Sequence, residues 1–114
     1  MKDFMLIFVG TSYAEMDLSP EEIQQQAGKW MAWQEKMEKA GVLKSGNALS
    51  PDFRRISGAD RTVTDRASTE LKELVGGYYI VTAMDYDAAM AIAQDYPDYD
   101  KGGTVEVREI VHYG

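Results

Sequence analysis

The 114-residue chain contains no cysteine, which excludes disulfides, thiolate nucleophiles and cysteine-based metal sites. It contains one histidine, His112, so no second imidazole is available for a histidine-based metal site. His112 is also a weak candidate for a general base, because nothing in the sequence provides it with a pocket. We therefore expect neither a metal site nor a cofactor. A cysteine-free chain also suits a reducing cytoplasm.

Positive charge is scarce as well. Twelve Lys and Arg residues stand against 19 Asp and Glu residues, which gives a formal net charge of −7. No basic stripe is available to neutralise phosphates, so the composition argues against nucleic-acid binding and against an anionic membrane surface. The apolar run Phe4–Val9 is too short for a signal peptide or a membrane span. We expect a cytoplasmic protein with one domain, residues 1–114.

The first half of the chain predicts a strand followed by a long helix. Phe4–Val9 is apolar at every position, which is typical of a central strand that is covered on both faces. The segment "SPEE", residues 19–22, offers a capping box with a proline at the first helical position, and it predicts a helix over 20–40. The apolar stripe of this helix comprises Ile23, Ala27, Trp30, Met31, Trp33, Met37 and Ala40.

The second half predicts shorter elements. "VLKSGNAL", residues 42–49, suits a short strand, and "FRRI" and "RTVT" on either side of "SGAD" suit a hairpin. "TELKELV", residues 69–75, predicts one to two helical turns that end at Gly76. Tyr78–Met84 predicts a second central strand, and Asp85 or Asp87 caps a helix that ends near Tyr96. The last strand, residues 104–111, has an apolar face that only Glu109 interrupts and a second face that is polar in its middle, as on an edge strand.

The resulting order β-α-β(β)-α-β predicts an α+β fold, a ferredoxin-like split βαβ sheet with an added hairpin. The connections of this fold place both helices on one face of the sheet. Both central strands nevertheless look apolar on both faces, and the chain has no further helix to cover the second face. We therefore expect a homodimer in which a second copy covers that sheet face through a two-fold axis.

Several segments carry a resemblance to a known family. They are "SPEE" after the first strand, "AGVL" after the long helix, "GGYYIV", the Asp-rich start of a short alanine-rich helix, and "GGTVEVREI". From Phe4 to Ile110 the chain resembles the YCII-related, DGPF-type family. The resemblance implies a ferredoxin-like fold that dimerises into a dimeric α/β barrel.

The chain departs from this family at its name-giving Asp-Gly-Pro-Phe motif. Thr64-Asp65 matches, Arg66-Ala67-Ser68 replaces Gly-Pro-Phe, and the register returns at Glu70, Lys72, Glu73, Gly76 and Gly77. Related YCII proteins have been proposed to use a His-Asp active site. That proposal does not transfer to this chain, because no histidine precedes His112.

The candidate ligand-binding residues are Asp65, Arg54, Tyr79 and Glu70, and no residue is assigned a catalytic role. Asp65 and Glu70 could line a cleft beside the sheet, whereas the alternative is that Asp65 closes a turn and Glu70 lies on an exposed helix face. Arg54 could meet an anion, whereas the alternative is that it is solvated or ion-paired. Tyr79 could form an aromatic pocket with Trp30, Trp33 and Tyr78, although such residues more often serve a core or a dimer interface.

Two glycine-containing segments look like known binding loops, but neither lies in the structural context that its motif requires. Gly76-Gly77 precedes a strand, whereas a phosphate loop follows a strand and opens a helix. In residues 98–109, Asp98, Asp100, Gly103 and Glu109 match positions of a calcium loop, but Glu109 lies in a predicted strand where that motif needs a helix. We interpret both as structural.

Three functions stay open. The chain binds a small organic ligand, or it is a cofactor-free enzyme of the isomerase, lyase or monooxygenase type, or it is a regulatory or interaction module. The third follows from the resemblance, since members of that family are sometimes associated with sigma-factor systems. Fold alone does not decide among them. The lack of Cys, of a Ser-His-Asp order and of a metal cluster favours binding over hydrolysis.

Overall fold

The protein is described here by a computed structural model that covers residues 1–68 and 73–113. In chain order its elements are β1 (Lys2–Gly10), α1 (Pro20–Lys39), β2 (Leu43–Ala48), β3 (Arg54–Ser57), β4 (Thr62–Asp65), β5 (Leu74–Ala83), α2 (Tyr86–Ala93) and β6 (Thr104–Glu109). Short 3-10 turns lie at Tyr13–Glu15, Arg66–Ser68 and Pro97–Lys101. The element order agrees with the predicted one.

Four strands form one antiparallel sheet in the order β2-β5-β1-β6. The predicted central positions of β1 and β5 and the edge position of β6 are thereby confirmed, although β6 ends at Glu109 rather than at residue 111. Strands β3 and β4 pair with each other as a separate hairpin, in which Arg54 lies opposite Asp65. This is the predicted α+β, ferredoxin-like class with an added hairpin.

Helix α1 begins where its capping residues predict. The Ser19 side-chain oxygen accepts a hydrogen bond from the Glu22 N–H at 3.1 Å, and the Glu22 carboxylate accepts one from the Ser19 N–H at 3.1 Å. Pro20 occupies the first helical position, where its missing N–H leaves no bond unmade. The start of α1 is therefore determined by residues that are adjacent in the sequence.

The buried face of α1 differs from the predicted apolar stripe. Trp33 and Met37 are buried as predicted, but Ile23 and Met31 are 40% and 66% exposed. Ala27 and Ala40 are exposed as well, so the assignment of these four residues to the buried stripe is wrong. Gln26 is buried in their place because it lies seven residues before Trp33, on the same side of the helix. No helix in the described part of the chain is both long and apolar enough to cross a membrane.

The core lies between the helices and one face of the sheet. Phe4, Leu6 and Val81 are fully buried there, because alternate residues of β1 and β5 point toward the helix layer. Helix α2 starts at Asp85, whose carboxylate accepts a hydrogen bond from the Ala88 N–H at 2.9 Å, and it packs small residues against the sheet. The opposite sheet face carries no helix among the described residues.

The start of β5 overturns one local prediction. Leu74, Val75 and Gly76 belong to the strand, so the helical turn predicted to end at Gly76 is wrong from Leu74 onward, and residues 69–72 lie outside the described part. Leu74 and Val75 are held in the strand because they pair with Gly10 and Val9 of β1.

Gly76 and Gly77 have different structural roles. The register moves from Phe8 opposite Gly77 to Val9 opposite Val75, which makes Gly76 the extra residue of a β-bulge. A Cβ at Gly77 would lie 2.8 Å from the Asn47 carbonyl oxygen, whereas a Cβ at Gly76 would meet nothing within 4 Å. Gly77 thus permits close approach of β2, and Gly76 lets the strand bend.

The β3–β4 hairpin projects from the main sheet. All residues of β3 are exposed, and the large side chains Ile56 and Val63 are 67% and 61% exposed. The radius of gyration is 16.0 Å. A compact chain of this length would have about 13 Å. The molecule measures 47 × 43 × 18 Å and is therefore a thin, two-layered slab.

Candidate ligand-binding cleft

A cleft of about 580 Å³ opens at the end of the sheet where β1 ends and β5 begins. Its walls come from the end of β1, the Tyr13 turn, the middle of α1, the end of β2, the glycine bulge of β5 and the segment after α2. The volume lies within the range of about 300–1,000 Å³ that small-molecule sites occupy. Most of the lining is apolar, and its polar groups are few.

Aromatic side chains form the inner wall. The Phe8 ring lies at the centre, with ring-centroid distances of 5.1 Å to Trp30, 5.3 Å to Tyr79 and 5.3 Å to Tyr96. Gly103 makes room for this cluster, because a Cβ there would lie 2.3 Å from the Tyr96 hydroxyl oxygen. The aromatic residues reach the cleft from β1, α1, β5 and the end of α2, so the fold rather than a local motif assembles the wall.

A hydrogen-bonded polar network lies against this wall. The Tyr13 hydroxyl donates to Asp98 Oδ1 at 2.6 Å, and Gln26 Nε2 donates to the same oxygen at 2.7 Å. The Trp30 indole N–H donates to the Tyr13 oxygen at 3.2 Å. Gln26, only 2% exposed, also donates to the Pro97 carbonyl at 3.3 Å. These bonds fix the orientation of the Asp98 carboxylate.

The turn that carries Tyr13 is held from two sides. The Ser12 side-chain oxygen accepts a hydrogen bond from the Ala14 N–H at 3.3 Å, which caps the turn. Glu15 forms an ion pair with Arg66 at 2.6 Å. This ion pair links the Tyr13 turn to the segment that follows the hairpin, so Tyr13 is positioned by residues distant in the sequence.

Tyr13 and Tyr96 are unsuited to act as bases at neutral pH. Burial, together with the hydrogen bond to Asp98, raises the pKa of Tyr13 to about 12. Burial also raises the pKa of Tyr96, with the nearby Asp98 charge acting in the same direction. Both hydroxyls therefore stay protonated near pH 7, and Tyr13 acts as a hydrogen-bond donor to Asp98.

The charge in the cleft is of one sign. Asp98 is the only formally charged side chain among the lining residues that the structure describes, and none of those residues is Lys, Arg or His. The cleft therefore offers an apolar wall, fixed hydrogen-bonding groups and a carboxylate.

Comparison with known families adds an independent observation. The family model of the YCII-related domain matches residues 5–113, which is nearly the whole chain. The chain belongs to the YCII-related family. This confirms the family resemblance carried by segments such as "SPEE" and "GGTVEVREI". A comparison with curated proteins found no match.

Of the four residues predicted to bind a ligand, the three that the structure describes do not come together in this YCII-related chain. Tyr79 lies in the cleft wall, and its hydroxyl is 3.5 Å from the Gln34 side-chain oxygen. Arg54 and Asp65 face each other in the hairpin and are not among the described lining residues, and Arg54 pairs with Asp52 at 2.9 Å. Glu70 lies outside the described residues.

The other residues considered from the sequence take different positions. Trp30 and Tyr78 line the cleft, whereas Trp33 is buried in the core and donates its indole N–H to the Ile92 carbonyl at 3.1 Å. His112 is exposed, with its Nε2 atom 3.7 Å from an Asp3 carboxylate oxygen. None of these contacts brings His112 into the cleft.

Sequence reasoning missed the polar network. Asp98 was considered only as a position of a calcium loop, and neither Tyr13 nor Gln26 was singled out. One signal was available for Gln26, because it continues the helical spacing of Trp30, Trp33 and Met37 and a polar residue on such a face needs a partner. No comparable local signal marks Tyr13, which lies in a short turn.

Proposed function

We propose that this YCII-related protein binds a small organic ligand in the cleft at the end of its sheet. The observation that carries the proposal is the convergence of the Asp98 carboxylate, the Tyr13 hydroxyl and the Trp30 indole on an aromatic wall. A concave, mostly apolar site with a few oriented polar groups is the usual form of a small-molecule site. The family assignment is compatible with this function and does not specify a ligand.

The residues of the cleft favour ligand binding over the alternative of a cofactor-free enzyme. A general base must accept a proton at the working pH, and the raised pKa of Tyr13 keeps that hydroxyl protonated at neutral pH. The Gln26 amide cannot take up a proton, so the Asp98 carboxylate is the only proton acceptor among the three hydrogen-bonded groups, and two donors already hold it in place. The network is suited to orienting a ligand.

Nuclear magnetic resonance on the ¹⁵N-labelled protein tests the proposal with a set of fragments of mixed charge. We expect at least one fragment to shift the indole N–H signal of Trp30 and the amides of Gly76 and Gly77 in a saturable manner. The indole of Trp33, which is bonded to the Ile92 carbonyl in the core, serves as the internal control. Fragments that shift only hairpin amides, or shift no cleft signal, would contradict the proposal.

We also propose that the chain forms a single cytoplasmic domain that pairs with a second copy to close a dimeric α/β barrel. On the sheet face without helices, β1 carries Met5 and Ile7 and β5 carries Ile80, all half-buried in one chain. Glu106 and Arg108 on β6 flank this apolar centre with charges of both signs, which a two-fold axis can bring together. The 18 Å thickness and high radius of gyration favour such a partner.

Sedimentation measures this association directly. We expect the wild type at micromolar concentration to sediment at twice the chain mass of 12.8 kDa. Ile7→Asp should produce monomer, because it places a charge at the centre of the apolar face. Ile56→Asp on the exposed hairpin is the matched control and should remain dimeric. A wild type that sediments as a stable monomer would overturn the homodimer.

A further inference from the structure

The Asp98 carboxylate lacks a cationic partner in the described part of the chain. Two lysines that contact the segment around Asp98 pair with other carboxylates: Lys29 lies 3.6 Å from Asp100, and Lys101 lies 3.9 Å from both Asp100 and Glu22. The groups that contact Asp98 are neutral donors, Tyr13 and Gln26. A partly buried carboxylate in a cleft is thus held in place without being neutralised.

The hydrogen bonds of Asp98 are also distributed unevenly. Both described donors bind Oδ1, at 2.6 Å and 2.7 Å, and no described donor binds Oδ2. An ionised carboxylate has about four acceptor sites on its two oxygens. One oxygen is therefore fully used for orientation, while the other keeps its capacity to accept a hydrogen bond from a ligand.

The rest of the cleft suits a positive charge on an organic body. Aromatic rings attract a cation that lies within about 6 Å of a ring centroid, and Trp and Tyr are the strongest partners. Trp30, Tyr79 and Tyr96 lie in the same wall, and no Lys, Arg or His lines the described cleft to repel a cation. An anionic ligand would instead meet an unneutralised carboxylate at close range.

We propose that the cleft selects a protonated organic amine, with Asp98 Oδ2 accepting the ammonium hydrogen bond and the aromatic wall packing against the apolar body. This inference rests on the proposed ligand-binding function and narrows it to one ligand class. The net charge of −7 of the whole chain favours the approach of such a ligand.

Three probes of nearly equal size separate charge from shape. Benzylamine, benzyl alcohol and benzoate share one ring and carry a positive charge, no charge and a negative charge at pH 7. Titrations followed by the cleft amide signals should give benzylamine an affinity at least tenfold higher than that of benzyl alcohol, and benzoate should not saturate. Equal affinities for benzylamine and benzyl alcohol, or tighter binding of benzoate, would overturn the inference.

A pair of charge-matched variants assigns the effect to Asp98. Asp98→Asn should lower benzylamine affinity at least tenfold and remove its advantage over benzyl alcohol. Asp100→Asn removes the same charge two residues away, on a side chain that does not line the described cleft, and should leave both affinities unchanged. Equal losses in the two variants would show a general charge effect and contradict the assignment.

Failure of this inference is distinguishable from failure of the proposed function. If other fragments bind the cleft but benzylamine binds no more tightly than benzyl alcohol, the proposed ligand binding is upheld and the inference of amine selection is wrong. If no fragment in the mixed-charge set binds the cleft, both fall. The three-probe comparison uses the wild-type protein, so it stays decisive if Asp98→Asn does not fold.

Discussion

The cleft and the β3–β4 hairpin show two different uses of polar side chains. In the hairpin region the ion pair of Arg54 and Asp52 is exposed to solvent, with side chains that are 63% and 66% exposed. The cleft contains one charged side chain among its described lining residues, and that side chain is oriented by a tyrosine and a buried glutamine. The number of charges in a segment therefore says less about a binding site than their burial and partners.

Polar interactions in the two regions contribute differently to stability, because they differ in their exposure to solvent. An exposed ion pair contributes about 0–1 kcal/mol, because water competes for both partners and the long side chains lose freedom. Removing the donor of a buried hydrogen bond lowers the free energy of unfolding by about 1–3 kcal/mol. The buried acceptor is then shielded from water and has no partner in the protein. Substitutions in the cleft should consequently change stability more than substitutions in the hairpin.

The largest difference in stability is expected between variants of two apolar residues, Phe8 and Ile56. Phe8→Ala should lower the free energy of unfolding by about 3–5 kcal/mol, because the Phe8 ring is only 7% exposed and contacts several other rings. Ile56→Ala on the hairpin should change it by less than about 0.5 kcal/mol. Urea denaturation measures both values. Similar losses in the two variants would mean that the hairpin has a packing partner.

The next contrast is between the adjacent glycines of β5. Gly77→Ala should cost about 1–3 kcal/mol, because its Cβ would meet backbone atoms of β2 that cannot move aside easily. Gly76→Ala adds the same methyl group where nothing lies within 4 Å and should cost much less. Thermal denaturation of the two variants measures the difference. An equal effect would contradict the close approach of β2 to Gly77.

A third contrast concerns polar groups. Gln26→Met keeps the side-chain length and removes the donor to Asp98 and the Pro97 carbonyl, so stability should fall by about 1–3 kcal/mol. Arg54→Gln removes an exposed charge and should change stability by less than about 0.5 kcal/mol. Denaturant titration of both proteins provides the test. A larger loss for Arg54→Gln would reverse the contrast between the two regions.

The smallest contrast appears at alkaline pH. The pKa of Tyr13 is about 12 in the folded state against 10.0 for an ordinary tyrosine, so the folded state holds this proton more tightly. The resulting stability is fully present below pH 10.0 and is lost as pH rises toward about 12. Tyr13→Phe should weaken this decline, whereas Ile56→Ala should not alter its slope. Unfolding free energies measured from about pH 8 upward test this, and an equally steep decline in Tyr13→Phe and in the wild type would contradict the role of Tyr13.

Local chemistry explains which parts of the fold were predictable. The α1 start depends on Ser19, Pro20 and Glu22, and the α2 start depends on Asp85, so each cap is read within four residues of sequence. Continuous apolar runs likewise identified β1 and β5 as central strands. The hairpin was predictable because its turn residues lie between two short β-prone segments.

The parts that were missed depend on contacts between distant residues. Gln26 and Asp98 are 72 positions apart, and Tyr13 and Asp98 are 85 apart, so no local pattern connects them. Leu71, Leu74 and Val75 have helical spacing in the sequence, but pairing with β1 holds Leu74 and Val75 in a strand. Tyr79 was identified as a candidate because aromatic residues at a strand start are visible in the sequence.

The exposed hairpin also offers a practical site for modification. Its turn carries Gly58 and Arg61 in left-handed backbone conformations, and Arg54, Arg55 and Arg61 are exposed along it. Exposed loop tips are where proteases cut first and where insertions are best tolerated. Trypsin should therefore nick the chain here before it reaches the main sheet, and a peptide tag placed between Gly58 and Arg61 should leave the cleft unchanged.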